Sequence, residues 1–241
     1  MDGLRNLFDR EKLFPPTPPG PPRSNKTSFT VALAIQRAGF LSLEACLLGN
    51  YLLSRYQSLK RDSSPSDVAG CFLIAGKYED GLFGNEVDQV AVLAGVQQSS
   101  LERSEKAICI ALDFDFCWPN PMHFLRWFSN EADGWNGTTR RVAKAFLIAF
   151  TFDDEDSTTT PSLKAAAALY SAKLFTRCGN WTPYHTAVTR YREEDVQQVS
   201  KRMAAALANA INGANLPFAN LLTKSEMAQV LCSGTVRSKG W

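Results

Sequence analysis

Two charged residues stand where the sequence is otherwise apolar. Lys77 follows the run Val68, Ala69, Cys71, Phe72, Leu73, Ile74 and Ala75. Glu105 lies in SSLERSEKAICIALDFDF, one turn from Cys109 and off the stripe made by Leu101, Ile108, Ala111 and Leu112. A charge held partly out of water is costly unless something satisfies it. A lysine and a glutamate so placed can satisfy a partner's polar groups through charge-assisted hydrogen bonds, so this pair is where function is expected. The plainer explanations are a cation favoured by the helix dipole for Lys77 and a surface pair with Arg103 or Lys106 for Glu105.

Other chemistries find no support. His123 and His185 are the two histidines, and neither has a cysteine or carboxylate at ligand spacing, so no metal is expected. Neither GxxxxGK[ST] nor GxGxxG occurs, nor a nucleophile elbow, so no cofactor and no catalytic constellation is expected. The acidic run Asp153–Asp156 reads as a solvated loop. With 26 basic and 24 acidic residues the net charge is +2, and basic residues are not interleaved with aromatics, which argues against a nucleic-acid surface. Apolar runs fall short of the ~18 residues of a membrane span, so no membrane partner is expected, and MDGLRNLFDREK is no signal peptide. Cys46, Cys71, Cys109, Cys117, Cys178 and Cys232 form no CxxC and read as buried thiols of an intracellular protein.

The elements that must position Lys77 and Glu105 are helices. Ser64 as N-cap, Pro65 at the first helical position and Asp67 reaching back open one over 65–79. It is apolar all round, hence surrounded by other helices. Ser99 with Glu102 suggests a capping box for the helix over 100–112. Further helices are expected over 27–38, 42–57, 86–94, 119–130, 138–152, 161–177, 182–190 and 193–211, with a weak last one near 224–232. Shifting the chain by 96 positions lays Ser64-Pro65-Ser66 on Thr160-Pro161-Ser162, Leu73 on Leu169 and Lys77 on Lys173. The fold class is therefore all-α: two tandem five-helix domains, 25–117 and 118–235, meeting near Trp118-Pro119. Residues 1–24, with PPTPPGPP, are expected to be a disordered arm that contributes nothing to the fold.

Five segments in register resemble the cyclin family. Lys77-Tyr78-Glu79-Asp80 after FLIAG looks like the close of the third cyclin-box helix. LERSEKAICIALDFDF resembles the helix that carries the family's glutamate, placing it on Glu105. FLSLEACLL, 40–48, is similar to the start of the second helix. PNPMHFLRWFS, 119–129, and GNWTPYHTAVTRYREEDV, 179–196, are similar to stretches of the second fold in B-type cyclins. The chain is most like a divergent, short B-type, mitotic cyclin.

That resemblance implies two cyclin folds and a regulatory subunit, not an enzyme. Such a subunit activates a cyclin-dependent Ser/Thr kinase in cell-cycle control at G2/M, in nucleus and cytoplasm. It assigns kinase binding to Lys77 and Glu105, ringed by Tyr78, Cys109, Phe114 and Phe116, with Lys173 as the uninvolved equivalent in the second repeat. Arg10 and Leu13 fit a minimal RxxL destruction box, implying ubiquitin-ligase machinery as a further partner. Thr17-Pro18, Ser64-Pro65, Thr160-Pro161 and Thr182-Pro183 fit proline-directed phosphorylation, the last three more simply helix caps. Departures exist: the family's Asp-Arg pair ending the second helix is Ser54-Arg55 here, and the arginine that would pair with that aspartate falls near Asn25 or Lys26. The tryptophan-bearing docking patch of the first helix is not recognisable. Alternatives of other classes are a two-cyclin-fold transcription factor that binds promoter DNA, and a kinase-independent helical adaptor.

Overall fold

A helix apolar on every side has to be enclosed by others, and the computed structural model builds each half of the chain around one. It describes residues 2–14, 26–60, 63–151, 159–213, 216 and 218–237. Among these are twelve α-helices and no strand, in two compact units, Phe14–Asn120 and Met1–Leu13 with Pro121–Trp241. The helices are α1 (Asp2–Leu13), α2 (Lys26–Arg37), α3 (Leu43–Leu59), α4 (Pro65–Glu79), α5 (Asn85–Ala94) and α6 (Gln98–Ala111). There follow α7 (Pro121–Asp133), α8 (Gly137–Phe150), α9 (Pro161–Thr176), α10 (Pro183–Thr189), α11 (Glu193–Asn212) and α12 (Lys224–Arg237).

In the first unit α4 is the enclosed helix, against α2, α3, α5 and α6. Its start is as expected. The Asp67 amide donates to Ser64 Oγ at 3.2 Å, and the Ser64 amide donates to the Asp67 carboxylate at 2.9 Å. Lys60 donates to the same carboxylate, tying the end of α3 to the start of α4. Two glycines permit close approach. A Cβ on Gly49 would lie 2.5 Å from the Phe72 ring, and one on Gly70 would lie 2.8 Å from Ile108 Cδ1 and 3.4 Å from the Glu105 amide nitrogen. The capping box at Ser99 is not formed. Helix α6 begins earlier, on the carbonyl of Gln97, which already receives the amides of Ser100 and Leu101. Ser99 is inside the helix, and its carbonyl accepts from Arg103 Nε.

In the second unit α9 takes the same place, against α7, α8 and α11. It starts 96 positions after α4, with Thr160 as its cap and Pro161 at its first position. Thr182 likewise caps α10, reciprocally with His185. Helix α12 runs further than expected and is anchored by a two-pronged Arg141–Glu226 pair, at 2.9 and 2.6 Å. The Arg141 hydrogen bonds hold the Glu226 carboxyl down at about 2. The cysteines are free thiols, but only Cys46 and Cys71 are buried, whereas Cys117 and Cys232 are exposed, outside the apolar stripes.

The expected arm is different in its first half. Residues 2–13 form α1, while 15–24, with the proline run, lie outside the described residues. Leu4, Leu7, Phe8 and Glu11 recur at spacings of three and four, an inward face. Phe8 is buried with its ring 5.2 Å from that of Phe124 and 6.3 Å from that of Phe128, under the Arg190 guanidinium at 4.0 Å. Glu11 accepts from the Ser162 amide at 2.6 Å and from the Ser162 hydroxyl, so a carboxylate from α1 caps the N-terminus of α9. Burial pushes the Glu11 carboxyl above its usual range, against the pull of those two bonds.

Lys173, the equivalent of Lys77 in the second repeat, is closed off from solvent where Lys77 is not. It is buried and donates to Asp133 Oδ1 at 2.5 Å, and His185 Nε2 lies 3.1 Å from the same oxygen. Burial alone would raise the Asp133 carboxyl, but the bonds from His185 and Lys173 outweigh it and hold it below the usual carboxylate range.

Two outcomes follow for stability. Deleting residues 1–13 removes a buried phenylalanine, worth ~1.5–3 kcal/mol, and the α9 cap. At about 2–4 °C per kcal/mol for this size, the melting temperature should fall by roughly 3–12 °C from the phenylalanine alone. An unchanged temperature in calorimetry would mean that α1 does not dock. Lys173→Ala strands a buried carboxylate and should cost ~3–5 kcal/mol at neutral pH. Asp133 has its folded value below the ~3.9 of an unfolded carboxyl. Its contribution is therefore complete above that value and lost as pH falls through the folded one. In Lys173→Ala burial acts on Asp133 without the lysine's opposing bond, so the carboxyl takes up a proton at higher pH than in the parent and sheds the stranded charge. The penalty in urea titrations should therefore be smaller at pH 4 than at pH 7, and equal penalties would contradict this account.

Candidate functional site

Helix α4 becomes exposed at its C-terminal end, and Lys77 is in that last turn. Helix α6 runs beside it at the distance that Gly70 allows, and Glu105 is the residue whose backbone faces that glycine. The two side chains therefore meet: Lys77 Nζ donates to Glu105 Oε1 at 2.6 Å, with the side chains 40% and 20% exposed. Glu105 pairs with neither Arg103 nor Lys106 in this arrangement. Arg103 turns instead to the Ser99 carbonyl and the Ser100 hydroxyl, both at 3.1 Å. So the two expected charges satisfy one another across 28 residues of sequence.

The expected ring of side chains gathers in part. Tyr78 is half-exposed, and its ring is edge-on to that of Phe116 at 6.2 Å. Phe114, 67% exposed, lies 6.3 Å from Phe116. Cys109 is half-buried one turn after Glu105, and its carbonyl receives the Phe114 amide at 2.9 Å. Burial, reinforced by the neighbouring Glu105 charge, pushes the Cys109 thiol up, which keeps it an uncharged contact. The Tyr78 hydroxyl is 3.4 Å from Cys117 Sγ. Four exposed apolar side chains of this unit were not expected from the sequence: Leu59, Phe83, Val92 and Ile110. Ile110 breaks the inward stripe of α6, which was the available signal.

Chemically the arrangement offers a partly solvated ion pair at Lys77 and Glu105 and the partly exposed rings of Tyr78 and Phe114. Among the described residues no three metal-ligating side chains gather, and no helix is long and apolar enough to cross a membrane. The other motif, Arg10 and Leu13, is on α1, where both residues are exposed.

A model of the cyclin C-terminal domain matches residues 119–229. The G2/mitotic-specific cyclin-4 of Candida albicans is 33% identical over 162 residues, which are 66% of this chain and 32% of that protein. The G2/mitotic-specific cyclin cdc13 of Schizosaccharomyces pombe is 30% identical over 203 residues, 84% of this chain and 37% of its own length. The chain thus spans about a third of the length of these curated relatives. The crystal structure of a viral cyclin from herpesvirus saimiri has the same fold. Its TM-score is 0.70 at 21% identity, covering 84% of this chain and 97% of that one.

Proposed function

The chain belongs to the cyclin family, and from that premise we propose that it is the non-enzymatic subunit that binds and activates a cyclin-dependent Ser/Thr kinase. The observation that carries this reading is the Lys77–Glu105 pair on the aromatic face of the first unit. An exposed pair of this kind contributes little to the fold, ~0–1 kcal/mol. Exchanging it for backbone groups of a kinase helix therefore costs little and gains charge-assisted bonds in a drier setting. Tyr78, Phe114 and Phe116 supply the apolar area around it, with Cys109 at its edge. Activation is then a matter of differential affinity: the cyclin binds the active arrangement of the kinase better than the inactive one. The similarity to G2/mitotic-specific cyclins supports a role at G2/M; action in nucleus and cytoplasm is a further part of the proposal.

Degradation through Arg10 and Leu13, read by ubiquitin-ligase machinery, belongs to the same proposal. Helix α1 puts them three positions apart on one exposed face.

Lys77→Ala and Glu105→Ala should each weaken kinase association by ~2–4 kcal/mol, as hot-spot truncations do, while the rim substitution Lys106→Ala costs under ~1. The melting temperature of the free protein should move little in all three, because the pair is solvated. Calorimetric titration with a purified cyclin-dependent kinase reads this. Losses equal in all three variants, or in none, would favour the adaptor over the activator. For turnover, replacing Arg10 and Leu13 together by alanine should lengthen the half-life in dividing cells, and an unchanged half-life removes the degradation motif.

A further inference from the structure

Phe114 is held outward in a conformation that works against it. Asp113 and Phe114 have φ of 52° and 53°, the left-handed region that residues other than glycine occupy at a cost. Burial does not offset that cost, since Phe114 is two-thirds exposed. Two such residues in succession persist only where the surroundings over-determine them. The surroundings here are one face of α3. Arg55 Nη1 donates to the Asp115 carbonyl oxygen at 2.8 Å and lies 3.6 Å from the Asp115 carboxylate. One helical turn earlier, Tyr51 stacks on Trp118, with ring centroids 4.3 Å apart and planes 6° from parallel. The Asn120 side-chain Nδ2 donates to the Glu44 carbonyl at 2.9 Å, continuing the seam. The segment that carries Phe114 and Phe116 is thus fastened to α3 at Asp115, Trp118 and Asn120.

Arg55 is the arginine whose aspartate neighbour is Ser54 in this chain, and its side chain is a quarter exposed. We propose that Arg55 is a positioning residue: by holding the Asp115 carbonyl it presents Phe114 and Phe116, pre-formed, to the kinase. This rests on the kinase-binding reading above. A pre-formed segment loses less conformational freedom on association than one that must order at that moment. The principal contact is to backbone, so the side chain of Asp115 is secondary.

The test uses the full chain with Arg55→Met, Arg55→Lys, Asp115→Ala and Lys77→Ala. Amide hydrogen exchange is followed at 113–116 and in α4, and affinity is measured for a purified monomeric cyclin-dependent kinase. Arg55→Met should speed exchange at 114 and 115 at least tenfold, leave α4 protected and weaken kinase binding about tenfold. Arg55→Lys should restore part of both, and Asp115→Ala should stay within about twofold of the parent. Unaltered exchange in Arg55→Met, faster exchange without weaker binding, or equal loss of protection throughout α4 each overturns the proposal. If Lys77→Ala weakens binding and Arg55→Met does not, only the positioning role falls. If Lys77→Ala binds like the parent, the kinase reading falls and takes this proposal with it.

Discussion

A helix without a polar face has no stable way to meet water, and both halves of this protein are arranged around that constraint. Helix α4 is buried from Asp67 to Gly76 and α9 from Pro161 to Lys173, apart from the half-buried Leu163. Each needs neighbours on every side, and in the first unit Gly49 and Gly70 let α3 and α6 come close enough to provide them. Charge is confined to the turns near the helix ends: Asp67 and Lys164 near the starts, Lys77 and Lys173 near the finishes. The location of the lysine–glutamate pair is therefore a result of how the core closes, and its chemistry is a result of where water begins.

The two units share this plan and differ in what surrounds the lysine at its end. In the first, Lys77 meets Glu105 with both side chains in partial contact with solvent. In the second, Lys173 is sealed against Asp133, with His185 on the same oxygen. A solvated pair can open and re-form with another molecule at small cost. A buried pair cannot, because either partner left alone is a desolvated charge. Equivalent positions thus hold a solvated pair in one half and a sealed pair in the other.

What could be read in the sequence was what is decided locally. Ser64, Thr160 and Thr182 cap their helices because a cap is settled within three residues of its proline. Periodicity gave the helices, and the spacing of 96 gave the repeat. Pairings across the fold were illegible. Asp133 lies 40 residues from Lys173 and 52 from His185, so nothing in spacing joined them. The mutual bond of Lys77 and Glu105 was hidden for the same reason, although both residues were singled out. Helix α1 was lost behind the prolines that follow it, despite the spacing of Leu4, Leu7, Phe8 and Glu11. At Ser99 a local rule misled: Ser and Glu three apart also occur inside helices.

The bond between Glu11 and Ser162 spans 151 residues, and the whole of the first unit lies between its two ends. In order of synthesis the first unit is an insertion into the second. A ribosome adding ~5–20 residues per second makes Glu11 roughly 8–30 s before its acceptor helix exists. The first unit can close while α1 waits with Phe8 exposed, and the second becomes complete only when its earliest helix returns. Contacts of such separation are slow to form. The contact between α1 and α9 therefore closes only after the whole of the first unit has been made.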